Sequence, residues 1–252
     1  MANDRAEIYS SVYLADYGFE SEMVFYRRQL LLERLNHLRP EVVFEIGCGN
    51  ELLYETWLNG GGMAECWVTV EPSEKFAELA RSARLPNMHV VQACFENAIP
   101  RVQSICSRAP NLVICSSVLH EVPSATAVLA AMRFIMGAET RTHINVPNAN
   151  SLHRRLAKSM ALIADTKAMS ERNLNLMQNR VYDMASLKAD LASAGLSVID
   201  EGGYLLKPFT HAQMERVASE LGESVMDGLF DLGRELPELA SEIWVEAVRD
   251  NG

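Results

Sequence analysis

The stretch Val42-Val43-Phe44-Glu45-Ile46-Gly47-Cys48-Gly49-Asn50 is an apolar run that ends in an acidic residue and a Gly-x-Gly turn. One helix's length later, Val68-Thr69-Val70-Glu71-Pro72 is a second apolar run closed by a carboxylate. Two parallel strands whose carboxyl ends hold a nucleoside have this pattern. In a dinucleotide-binding turn a third glycine lets helix and strand close around a pyrophosphate. Leu52 stands at that position here, and Glu51 beside it brings negative charge. The loop therefore suits a cofactor without phosphate better than NAD or FAD.

Outward from this pair, strand and helix signals alternate. Val24, Leu31, Leu35 and Leu38 repeat at helical spacing between Gly18 and Pro40 and predict a helix ahead of the first strand. Strands are expected over 41–46, 66–71, 88–92, 111–115 and 141–146. Asn50, Ser73 and Ser124 are placed to cap the helices between them. Alternation of this kind specifies a parallel sheet covered by helices on both faces. Past Pro147 the rhythm changes to a long, Met-rich helical stretch over 148–178, an insertion placed over the site. Asp183 reads as the cap of a helix ending at Gly195, followed by apolar runs at 196–199 and 204–209. Residues 241–248 alternate polar and apolar and read as an edge strand. No linker divides the chain, so a single domain over 1–252 is expected, with lid helices in 1–39 and a helical cap in 148–180.

A chain of 252 residues can bury roughly 70 to 75% of its unfolded surface without staples. The five cysteines are odd in number and show no CxxC spacing, which favours reduced thiols in a cytoplasm over disulfides or a metal site. A net charge of -10 disfavours nucleic acid, and Arg154, Arg155 and Lys158 are too few to form a track. Residues 1–20 lack the apolar core of a signal peptide, and no apolar run approaches the roughly 18 residues that a membrane span needs. The expected partner is a small molecule, with a homo-oligomer left open.

The ordered set of motifs resembles the class I S-adenosylmethionine-dependent methyltransferases, in particular the quinone- and small-molecule branch, over residues 13–209. It is carried by the loop Glu45 to Gly49, the acidic strand end Glu71, Val91-Gln92-Ala93-Cys94-Phe95-Glu96, Ser116-Ser117-Val118-Leu119-His120-Glu121-Val122-Pro123, and Val146-Pro147-Asn148-Ala149-Asn150-Ser151-Leu152-His153-Arg154-Arg155-Leu156. The resemblance implies a Rossmann-like, seven-stranded, mostly parallel sheet with an antiparallel strand near the carboxyl end and a cap after the fifth strand. It also implies S-adenosylmethionine as cofactor and S-adenosylhomocysteine as product. Gly47, Cys48 and Gly49 would then approach the cofactor, Glu45 would face its cationic end, and Glu71 with Pro72 would hold the ribose. Cys94 stands where relatives often carry an adenine-binding acid, which leaves the backbone around Cys94 and Phe95 to hold the ring. Ser116 and Ser117 would lie beside the methionine group.

Methyl transfer from a sulfonium needs in-line alignment first, and a base only where the acceptor must lose a proton. His120, in the loop after the fourth strand, is the candidate base, with packing or helix capping as the alternative. His143 and Asn145 share one face of the fifth strand: the histidine reads as core or catalytic, the asparagine as an acceptor-orienting group. Tyr13 and Tyr17 belong to the lid, and Asn148, His153, Arg154 and Tyr182 are candidates for the acceptor site. Arg27 and Arg28 read as a solvated pair, with a reach to the methionine carboxylate of the cofactor as the alternative. No cluster has metal-ligand spacing. The competing readings are a cyclising or aminopropyl-transferring enzyme with the same cofactor, a binding module without turnover, and, weakest, a dinucleotide oxidoreductase.

Overall fold

The computed structural model describes residues 2–15 and 17–250; Met1, Asp16, Asn251 and Gly252, within the expected 1–252 domain, lie outside the described residues. Helices α1 (Ala2–Ala15) and α2 (Glu20–Leu38) precede β1 (Val42–Ile46), α3 (Leu53–Asn59), β2 (Cys66–Val70), α4 (Glu74–Ser82), β3 (Met88–Val91) and α5 (Phe95–Ile105). Then come β4 (Leu112–Ser116), α6 (Ala125–Ile135), β5 (Arg141–Pro147), α7 (Leu152–Ser159), α8 (Glu171–Asn175) and α9 (Met184–Ser193). The remaining elements are β6 (Leu196–Tyr204), α10 (His211–Leu221), α11 (Glu223–Glu235) and β7 (Glu242–Arg249).

The strands form one seven-stranded sheet in the order β3-β2-β1-β4-β5-β7-β6. β1 to β5 run parallel, and β7 is antiparallel to both of its neighbours. The chain builds outward from β1 to β3, then crosses back to β4, so the strand order reverses between β1 and β4. A crevice opens at the carboxyl ends of strands around such a reversal. Both sheet faces are covered. Val42, Phe44, Ile46, Val68 and Val70 point into one core, while Val43, Trp67, Leu112 and Ile114 meet Leu31, Leu35, Leu53, Tyr54 and Trp57 in another. In the second, the rings of Tyr54 and Trp67 stack with centroids 4.5 Å apart.

Local signals set several boundaries. Ser73, Ser124 and Asp183 cap α4, α6 and α9, each accepting a backbone N–H three residues on. Asn50 caps nothing: α3 starts later, after Leu52, which makes no side-chain cap. The 148–178 stretch is two short helices, because Ala161 and Met177 adopt left-handed φ values of 56° and 51° that interrupt a helix. β6 runs unbroken across 196–204 with a register shift between Val198 and Asp200, and leaves the sheet where Leu205 takes φ 58°.

The largest departure is β7, which is internal and not an edge strand. Its alternating carboxylates mimic a solvated face, yet Glu242 and Glu246 are buried. Each has an arginine partner: Glu246 forms an ion pair with Arg34, Nε to Oε1 3.1 Å, and Glu242 accepts a hydrogen bond from Arg27 Nε at 3.1 Å. The second Arg27–Glu242 contact makes the pair bidentate, and Asn145 Nδ2 (2.6 Å) and the Tyr204 hydroxyl also donate to Glu242. This buried pair joins α2 to β7 across 215 residues of sequence. Arg27 is therefore not part of a solvated pair.

His143 lies deep in β5, its ring stacked on Trp244 at 5.7 Å with neither ring nitrogen partnered among the described residues. Burial pushes its pKa down to about 3, so it is a neutral core group.

Two outcomes follow for stability. Arg27→Met strands the Glu242 carboxylate and should cost about 3 to 5 kcal/mol in urea unfolding. An unfolded histidine titrates near 6.5, roughly, whereas the folded-state value of His143 is depressed. Its contribution is thus present above the unfolded value and lost as pH falls through it toward the folded one. Between pH 7 and 5 the wild type should lose on the order of 2 kcal/mol more than His143→Phe, read as the difference between their urea midpoints.

Candidate active site

At the reversal between β1 and β4 lies a cavity of about 690 Å³, within the size range of small-molecule sites. Its inner wall is the loop after β1. Gly47 and Gly49 have φ of 75° and 62°, which favours glycine. A Cβ on Gly47 would come within 2.8 Å of Val118 Cγ2, whereas one on Gly49 would meet only open space. The loop thus offers bare backbone to a ligand.

Glu71 follows β2 and is 5% exposed. The backbone N–H of Cys48 donates to its Oε2 (3.1 Å) and that of Ser73 to its Oε1 (2.8 Å). These contacts fix the carboxylate beneath the loop and leave lone pairs for hydroxyl donors. Burial pulls its pKa up to about 7 against those two hydrogen bonds. Glu45 also lines the cavity, but its Oε2 accepts from Trp67 Nε1 (3.0 Å) and Thr69 Oγ1 (2.9 Å), so part of its function is to anchor β2. Pro72, Cys94, Phe95, Ser116 and Ser117 complete this half. Burial raises the pKa values of Cys48 and Cys94, which keeps both thiols protonated and makes reactive roles unfavourable. Ser117 holds φ 57°, an uncommon conformation for a serine, while its N–H donates to Asn145 O at 3.0 Å.

The other half is roofed by α1, α7 and α8. Tyr13, Asn148, His153 and Arg154 line it. Asn148 donates to the carbonyls of Ala240 (2.9 Å) and Glu238 (3.2 Å), which makes it a brace as well as a wall. Tyr17 stands off the cavity, its hydroxyl donating to Glu51 at 2.5 Å, and Arg28 Nη1 donates to the same carboxylate at 2.7 Å. Glu51 thus ties the lid to the glycine loop. Tyr182 is buried in the main core, donating to Asp190 at 2.9 Å, and does not line the cavity. Asn145 sits under the wall, turned to Glu242 and Tyr204. It does not line the cavity.

His120 lines the cavity, and burial pushes its pKa down to about 3. It stays neutral near pH 7 and is a weaker proton acceptor than an exposed imidazole. Its neighbour Glu121 also lines the cavity, with a pKa raised to about 8 by burial. Tyr9 donates to Glu121 at 2.8 Å, and His120 Nε2 lies 3.4 Å from the same oxygen. Glu20, Arg27, Lys207 and Glu242 also line this half, and none was singled out from the sequence as a site residue apart from the misread Arg27. Only the position of Glu121 directly after His120 could have marked any of them.

Among the described residues no group of three His, Cys, Asp or Glu is arranged to hold a metal, and no helix is long and apolar enough to cross a membrane. Similar folds occur among solved structures. The plantazolicin methyltransferase BamL, solved with a triazolic desmethylPZN analog and SAH, is 12% identical with a TM-score of 0.62, covering 99% of this chain and 97% of that one. A possible histamine N-methyltransferase from Thermotoga maritima is 16% identical with a TM-score of 0.59, covering 97% and 99%. An S-adenosylmethionine-dependent methyltransferase from Mesorhizobium loti is 14% identical with a TM-score of 0.52, covering 86% and 96%. At these identities the likeness is one of fold. No curated protein is a significant sequence match. A family profile described as a methyltransferase domain does match residues 21–201, most of the chain, and this protein belongs to that methyltransferase family.

Proposed function

We propose that this chain transfers a methyl group from S-adenosylmethionine to an oxygen or nitrogen of a small metabolite, as a biosynthetic step in the cytoplasm. The supporting observation is the continuity of one cavity from the Gly47–Gly49 loop and Glu71 to His120 and Ser241, whose Nδ1 and Oγ have no hydrogen-bond partner among the described residues. The residues fit the cofactor: a bare loop, a fixed carboxylate at the β2 end for the ribose hydroxyls, and apolar walls from Phe95 and Val128. When bound, S-adenosylmethionine supplies an electrophilic methyl on a sulfonium.

The chain's own part is alignment and exclusion of water. The roof is closed by Arg5, whose guanidinium donates to the carbonyl of Glu121 at 3.0 Å and to that of Met177, joining α1 to the segment after α8. His120, held neutral, accepts or donates one hydrogen bond to the acceptor without carrying charge. Glu121 is the group suited to take a proton from the acceptor, because its pKa lies near neutrality.

Calorimetry with S-adenosylhomocysteine tests the cofactor site. Glu71→Ala should weaken binding by about 1.5 to 3 kcal/mol, the scale of hydrogen bonds to a charged group. Turnover should release S-adenosylhomocysteine; methylthioadenosine as the product would replace methyl transfer with cyclisation or aminopropyl transfer, and binding without product across an acceptor screen would indicate a module without turnover. Glu121→Gln should lower kcat roughly 100-fold with S-adenosylhomocysteine affinity retained. The wild-type rate should climb as pH rises through about 8, where the Glu121 carboxyl ionises, and the variant should lack that rise.

A further inference from the structure

Lys207 follows β6, is 6% exposed, and lines the acceptor half of the cavity. Its ammonium has no hydrogen-bond or ion-pair partner among the described residues. The Lys207 stem is buried and its ammonium is not among the enclosed unpartnered atoms, so the charge opens onto the cavity, where an anion from outside the chain would offset the cost of its partial desolvation. The nearby carboxylates are already engaged. Glu20 lies 3.2 Å from Arg27 and 3.4 Å from Arg172, and Glu242 is held by Arg27, Asn145 and Tyr204.

A second cation faces the same space. Arg154 lines the cavity and donates to the carbonyls of Thr166 (3.0 Å) and Ala168 (3.1 Å) and to Asn173 Oδ1 (3.1 Å), with no carboxylate partner among the described residues. His153 and His211 stand between cap and β6 side, held neutral first by burial and then by the charge of Lys207. Lys207 and Arg154, neither with a carboxylate partner among the described residues, therefore face the same space.

We propose that the acceptor bears an anionic group, a carboxylate or a phosphate, which binds Lys207 with Arg154 at the cap end of the cavity. This rests on the methyl-transfer reading for the word acceptor; the anion site itself does not.

The test uses the full chain and three fluorinated probes followed by fluorine NMR titration: 4-fluorobenzoate, 4-fluorophenyl phosphate and the uncharged 4-fluorobenzyl alcohol. At least one anion should bind about tenfold or more tightly than the alcohol, the size of one charge-assisted contact. Which anion wins separates carboxylate from phosphate. Lys207→Met should abolish the preference and Lys207→Arg should keep it, with thermal unfolding monitored to show that both variants fold. Equal binding of the three probes, no binding of any, or a preference that survives Lys207→Met overturns the proposal. Titrations run with and without S-adenosylhomocysteine keep the two readings apart. If that compound fails to bind wild type, the cofactor assignment falls while the anion preference is still read; if Lys207→Met weakens it instead of the probes, Lys207 serves the cofactor and the anion site is lost.

Discussion

The bidentate contact between Arg27 and Glu242 is the constraint on which the site depends. It couples the helix that carries the lid to the strand that forms the floor, and both charges are withdrawn from water. Such a pair adds little net stability compared with apolar residues of similar size, but losing one partner is severe. Its worth lies in placement. With Glu242 fixed by Arg27, Asn145 and Tyr204, the floor carries a charge that cannot swing away, and the wall above it inherits that order.

Around this fixed floor, the covering elements are held by polar contacts. Arg5 and Tyr9 reach Glu121 from α1, while Asn179 donates its side-chain N–H groups to the carbonyls of Glu121 and Val122. Lid and cap therefore meet on the loop after β4, the loop that carries His120. Tyr17 and Arg28 make a second seam at Glu51. Seams of hydrogen bonds over a cavity open at lower cost than apolar cores, which suits elements that must admit ligands.

The parallel half of the sheet was legible because its strands are short, largely apolar runs, three of them closed by Gly47, Glu71 and Pro147, and the caps Ser73, Ser124 and Asp183 act through neighbours three residues away. The glycine loop and Glu71 were legible for the same reason: their chemistry is local. The acceptor half was not. Arg27 reads as solvated until Glu242 is placed against it, and the alternation in β7 reads as an edge until its carboxylates find arginines from α2. His120 looks like a base from its position, but burial by distant elements decides its protonation. Tyr182 follows the 148–178 stretch in sequence yet stands off the cavity: its backbone bridges to Asn148 and its side chain enters the main core.

The insertion of β7 between β5 and β6 bears on how the chain assembles. β6 comes first in sequence, yet only β7 pairs with β5. If β6 docked alone on β5 it would block the slot that its successor needs. A route in which β6 and β7 first form their antiparallel ribbon and then add to the parallel sheet together avoids that block, and the strand that carries Glu242 then arrives already paired.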